Sequence, residues 1–137
     1  MTKELSMNLP RNLIACTLAL VAAAPAFAQD SKCSVEPFAG TTFPTGTVAR
    51  MRLVNNGSAC SIVNHGVPAE RSNPAYSGAI TMQAAHGKAE FVAPAAKYTP
   101  DPNYVGDDEF EYEAFARGET GQPVYLKVLV KVVVVAP

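Results

Sequence analysis

The sequence predicts an all-β fold: an antiparallel β-sandwich with a Greek-key connection and one disulfide. Three observations carry this expectation. Eleven prolines and nine glycines punctuate the 137 residues, and no long stretch repeats its apolar residues with the 3.6-residue period of a helix. Between the breaks, apolar and polar side chains alternate, the two-residue period of a strand with one buried face. Turn signals return roughly every 8–12 residues, a spacing typical of sandwiches and barrels.

The N-terminus reads as a secretory signal peptide over residues 1–28. Lys3 and Arg11 precede an apolar run over residues 13–28, which ends with small residues at Ala26 and Ala28, an A-x-A cleavage site. Met7 is an alternative start. At 16 residues, interrupted by Pro25, the run is too short for a membrane span. Leu13-Ile14-Ala15-Cys16 has a lipobox-like composition, but the apolar run follows the cysteine, where a lipobox needs it before. Residues 29–137 then form one domain, periplasmic or secreted, with no membrane span after signal removal. It carries 9 basic and 11 acidic residues, that is 11 less Lys3 and Arg11, and 12 less Glu4. A balance so close to neutral gives no reason to expect a nucleic-acid partner. Removal of Cys16 with the leader leaves Cys33 and Cys60, and two cysteines in an exported chain predict one disulfide.

Each element follows from local pattern. Residues 33–46 read as a short, irregular edge strand, because Pro37 and Pro44 cannot donate to a ladder. Residues 47–54 alternate, with Ala49, Met51 and Leu53 on one face and Arg50 and Arg52 on the other. Asn55-Asn56-Gly57 predicts a tight hairpin that brings 58–63 back as the partner strand. Residues 64–78 have no clean period and read as the long crossover connection. Strands follow at 79–84 and 88–93, separated by a turn at 85–87, and 95–99 continues the second of these across a kink at Pro94. The final strands are 109–117 and 124–136.

The last two strands also predict their register. Phe110, Tyr112, Ala114 and Ala116 share one face, and Glu109, Glu111, Glu113 and Phe115 share the other. A hairpin whose paired residue numbers sum to 240 sets Glu113 opposite Lys127 and Glu109 opposite Lys131. Val124, Leu126, Val128 and Val130 then join the apolar face, and a slip of one residue would bury the charges. The valine run 132–135 is an aggregation hazard unless it is paired on both sides, with Lys127 and Lys131 as gatekeepers.

Seven of the eleven acids after residue 28 fall between 101 and 119. Asp101, Asp107 and Asp108 form the candidate calcium set, with Gly106 allowing a sharp turn. The prolines spread them without the spacing of a calcium loop, and solvated aspartates bonding their own backbone are the favoured account of the cluster. His86-Gly87, Tyr98-Thr99-Pro100, Tyr104, Gly106, Asp108, Phe110 and Tyr112, followed by the valine strand, resemble the bacterial Ig-like and cadherin-like modules of exported proteins over about residues 79–135. The resemblance implies an Ig-like sandwich in which Tyr104 and Gly106 form a corner between the sheets and Phe110 and Tyr112 anchor the core.

No catalytic motif occurs. His65 and His86 are the two histidines, both in turn contexts, and there is no nucleophile elbow, zinc-protease helix or phosphate loop. Asn56-Gly57-Ser58 matches a glycosylation sequon but doubles as the turn. No catalytic residue and no cofactor are expected. The expected function is a non-enzymatic interaction or structural module of the bacterial cell envelope, whose partner is an envelope protein or glycan. Binding would use loops at one sandwich end, near 64–78 and 101–108, or a sheet edge by strand addition. A calcium-dependent binding module is the alternative.

Overall fold

A computed structural model describes residues 32–38 and 46–137. The expected signal peptide, Cys16 and Pro44 lie outside the described residues. The chain is all-β, with strands β1 (Cys33–Val35), β2 (Thr47–Val54), β3 (Cys60–Val63), β4 (Ser77–Met82), β5 (Gly87–Val92), β6 (Ala95–Pro100), β7 (Gly106–Arg117) and β8 (Pro123–Val135). They form a five-stranded sheet in the order β1-β2-β8-β7-β4 and a three-stranded sheet in the order β3-β6-β5. Among the described residues no helix is long and apolar enough to cross a membrane.

The β7–β8 hairpin has the register that alternation requires, with Glu113 opposite Lys127 and Glu109 opposite Lys131. It sorts the side chains: Phe110, Tyr112, Ala114, Val128, Val130, Val132 and Val134 are buried, while the glutamates lie on the outer face. β8 is the central strand, paired antiparallel with β7 and parallel with β2, so its valine run is covered on both sides. β2 likewise turns Ala49, Met51 and Leu53 inward. From the three-stranded sheet, Ile62, Ala89, Ala96 and Tyr98 close the core. The Tyr98 and Phe110 rings stack at 5.8 Å across the layers. Burying a large ring of this kind stabilises by about 2–3 kcal/mol.

Two connections differ from expectation. β2 and β3 do not form a hairpin: β2 pairs with β1 and β8, and β3 pairs with β6 in the other sheet. The turn itself is as tight as its residues imply, with Gly57 at φ 81° and the Ser58 amide donating to Asn56 Oδ1. Turn chemistry fixes local dihedrals but leaves open which sheet receives the next strand. Residues 95–100 do not continue the preceding strand either. β5 and β6 pair antiparallel down to Val92↔Ala95, so Ala93-Pro94, joined by a cis peptide, is a hairpin turn.

Two devices tie the sheets at their sides. On one side the Cys33–Cys60 disulfide joins edge strands β1 and β3, with a Cα separation of 5.5 Å. Closing a loop with a sequence separation of 27 stabilises by roughly 3.5 kcal/mol in the chain-entropy account. On the other side, the Gln83 carboxamide sits where a strand would pair with β5. It accepts from the Ala89 amide at 2.6 Å and donates to the Ala89 carbonyl at 2.9 Å.

Candidate functional site

The two loops expected to share one end lie at opposite ends. Residues 101–105 join the end of β6 to the start of β7, beside the 55–59 and 83–86 turns; the Asn55 amide donates to the carbonyls of Asp101 and Tyr104. Residues 64–76 lie at the other end. There the Asn64 amide donates to the Pro94 carbonyl and the Val67 amide to the Arg117 carbonyl. Local sequence shows that both segments are loops, but the number of sheet crossings between them decides their ends.

The first end is a hydrogen-bonded knot around Asp108. β7 alternation puts Asp108 on the inward face with Phe110 and Tyr112, leaving it 8% exposed. Its Oδ1 accepts from the amides of Ala85 (3.0 Å) and Glu109 (2.9 Å), and its Oδ2 from the His86 amide (2.9 Å) and the Tyr98 hydroxyl (2.8 Å). Four donors match the acceptor capacity of a carboxylate. Burial pushes the Asp108 carboxyl upward, but the Tyr98 hydroxyl and the three amides outweigh it and hold the group below the usual carboxylate range. Burial and the adjacent carboxylate push the Tyr98 phenol far above its ordinary value. Gly87 makes room for this arrangement: a Cβ there would lie 2.7 Å from the Tyr98 ring. His86 stacks on Tyr104 at 4.3 Å between ring centres, and the Tyr104 hydroxyl donates to the Asp107 carbonyl.

The three aspartates therefore part company. Asp108 turns inward onto protein donors, while Asp101 and Asp107 are exposed. Among the described residues no group of three or more His, Cys, Asp or Glu side chains is placed to hold a metal ion. The histidines are also separated: His86 lies at the knot, and half-buried His65 bridges to Pro74 at the other end.

Among the described residues the far end is open. The core face of β7 tapers from Phe110 and Tyr112 to Ala114 and Ala116, and the sheets enclose a hollow of about 590 Å³ there. Its lining includes Val35, Phe38, Ile62, Ala75, Ala116 and Leu126. Asn64, buried in its wall, is fully engaged: its amide donates to the carbonyls of Ile62 (3.0 Å) and Pro94 (3.3 Å), and its Oδ1 accepts from the Tyr112 hydroxyl at 2.7 Å. Burial raises the Tyr112 phenol well above its ordinary value, the bond to Asn64 opposing it. Among the described residues no buried side-chain polar atom lacks a hydrogen-bond partner. The hollow consequently offers mainly apolar surface and no spare buried donor or acceptor, with half-buried His65 and exposed Glu36, Ser61 and Tyr125 also in its lining. The taper to alanine was its visible signal in the sequence.

On the outer face beside this end, Arg117 lies over the Tyr76 ring at 5.0 Å, and the Phe115 and Tyr125 rings meet at 5.4 Å. Lys127, although opposite Glu113, pairs with the diagonal Glu111 at 3.1 Å, while Glu113 accepts from the Tyr125 hydroxyl at 3.1 Å. Lys131 pairs with Glu109. The three glutamates thus line an external charge ladder rather than the hollow. The Thr81 hydroxyl, and then Lys127, hold the Glu111 carboxyl below its usual range. Compared with known proteins, the chain matches no family model, no curated protein and no solved structure.

Proposed function

We propose that this protein is a non-enzymatic interaction or structural module of the Ig-like kind, exported to the bacterial cell envelope, and that it engages a protein partner through the hollow at its open end. The single observation that carries this reading is the hollow itself: mainly apolar, between the sheet ends, with its one buried polar wall residue already bonded. Such a surface rewards an inserted apolar side chain. The strand order supports the Ig-like part. Numbered along the chain, β4-β7-β8 and β3-β6-β5 correspond to the C-F-G and B-E-D groupings of immunoglobulin sandwiches. The disulfide accords with an oxidising compartment.

A pull-down from envelope extract tests the site, with the parent protein and Ala116→Leu as paired baits. The substitution fills the hollow from its floor, and a void of this size accepts the added carbons without loss of fold. A protein retained by the parent and lost from A116L is the expected result. Identical captures from both baits would remove the hollow from the proposal, and mass spectrometry of the exported form checks cleavage after Ala28.

A further inference from the structure

Among the described residues there are four strand edges, and three of them are obstructed. β1 has three residues and β3 four, and the disulfide joins the two. β5 has the Gln83 carboxamide on the Ala89 amide and carbonyl, and Lys88 and Glu90 on either side, 3.3 Å from each other. β4 is different. Its six residues, S-G-A-I-T-M, contain no charge and no proline, and it ends the five-stranded sheet with β7 as its only ladder partner among the described residues. An edge of that kind offers unpaired backbone groups to another strand.

We infer that β4 is a docking edge for a second copy of this chain, paired antiparallel about a two-fold axis through Ala79. The edge complements itself. In that register Ser77 faces Thr81 of the other copy, Gly78 faces its Ile80, and Ala79 meets Ala79, so no like charges oppose one another across the junction. Tyr76 and Met82, exposed by 48% and 38%, bracket the strand, and the axis brings Tyr76 of one copy against Met82 of the other, a favourable sulfur–aromatic pair. The bulge between Ile80 and Met82 bends this end of the edge, and it places Met82 in register with Glu111 on the outer face, the face on which Arg117 covers Tyr76. In the row behind each edge the same register sets Glu113 of one copy in line with Glu113 of the other through Ala79, about 14 Å apart across three strand spacings, a separation at which salt largely screens the two charges. The axis thus joins two five-stranded sheets into one continuous layer, an isologous contact that closes at two copies.

Sedimentation of the purified protein over roughly 1–500 µM tests this, together with amide exchange of Ser77–Ile80. A reversible dimer is expected, and exchange in β4 should slow as concentration rises. Ala79→Lys and Ala79→Glu, at a solvent-exposed position, should each weaken self-association by roughly tenfold or more, and their equimolar mixture should recover a mixed dimer. A monomer throughout the range, concentration-independent exchange in β4, or a dimer indifferent to both charge variants would overturn the inference. The hollow lies at the open end and not on this edge, so A116L leaves self-association unchanged and the two proposals fail separately.

Discussion

The Tyr98 hydroxyl donates to the Asp108 carboxylate at 2.8 Å, and this one bond joins β6 of the three-stranded sheet to β7 of the five-stranded sheet inside the protein. Tyr98 is 0% exposed and Asp108 8%, so little water competes for either group. The same carboxylate carries the 85–86 turn, which makes it the common anchor of three chain segments.

Replacing that carboxylate separates its charge from its shape. Asp108→Asn keeps one acceptor oxygen and turns an NH2 group toward existing donors, at an expected cost of about 2–3 kcal/mol, or a drop on the order of 10 °C in melting midpoint. The pH dependence has a definite sign. The folded-state pKa of Asp108 lies below its unfolded value, so its stabilisation is present above the ordinary aspartate pKa, about 3.9, and disappears as pH falls through the folded value. Glu111 acts in the same acid window. Tyr98 and Tyr112 act at the other limit: their raised pKa values favour the fold below about pH 10 and that contribution is lost above it. Chemical denaturation from pH 2 to 7 should show a shallower acid loss for D108N than for the parent; parallel curves would disprove the assignment.

Gly87→Ala should act through the same bond. The added methyl would meet the Tyr98 ring at 2.7 Å and the Thr99 carbonyl at 2.6 Å, and the backbone oxygen cannot swing aside. We expect a loss of about 2 kcal/mol. In a double-mutant cycle with D108N the combined loss should fall short of the sum, since each change already breaks the Tyr98–Asp108 contact. Strict additivity would place the effect of Gly87 elsewhere.

On the outer face, Lys127→Ala should cost little, because its pair with Glu111 is partly exposed. Lys127→Glu should cost more, since it sets a fourth carboxylate among Glu109, Glu111 and Glu113. Raising the salt to about 1 M, where the screening length falls to roughly 3 Å, should recover much of the difference. A K127E penalty independent of salt would point to packing instead.

Calcium makes a clean comparison. With both oxygens of Asp108 accepting from protein donors and Asp101 and Asp107 exposed apart from it, melting with excess calcium and with chelator should give the same midpoint. A calcium-dependent rise of several degrees would restore the 101–108 loop as a metal site.

The parts of this architecture legible beforehand were those written within a few residues of each other. Alternation along 109–117 and 124–136 determined inside, outside and register at once, because a short turn leaves a hairpin little choice. The parallel β2–β8 pairing has no such local mark: more than seventy residues separate Thr47 from Val128. For the same reason Asn55-Asn56-Gly57 revealed a turn but not its destination. Asp108 was readable in principle. It has the parity of Phe110 and Tyr112, and a carboxylate on that face must find donors; its place among neighbouring acids drew attention to solvent and metal instead. Gln83 carried no signal, since its role depends on β5 lying alongside in the other sheet.

The position of the valine strand bears on how this protein fails. Because β8 runs through the middle of its layer, fraying at either border liberates β1 or β4 first and leaves the most fibril-prone segment zipped. Amyloid seeding should therefore wait for complete denaturation and not accompany breathing of the margins, a delay that thioflavin fluorescence followed alongside loss of far-ultraviolet dichroism would time directly.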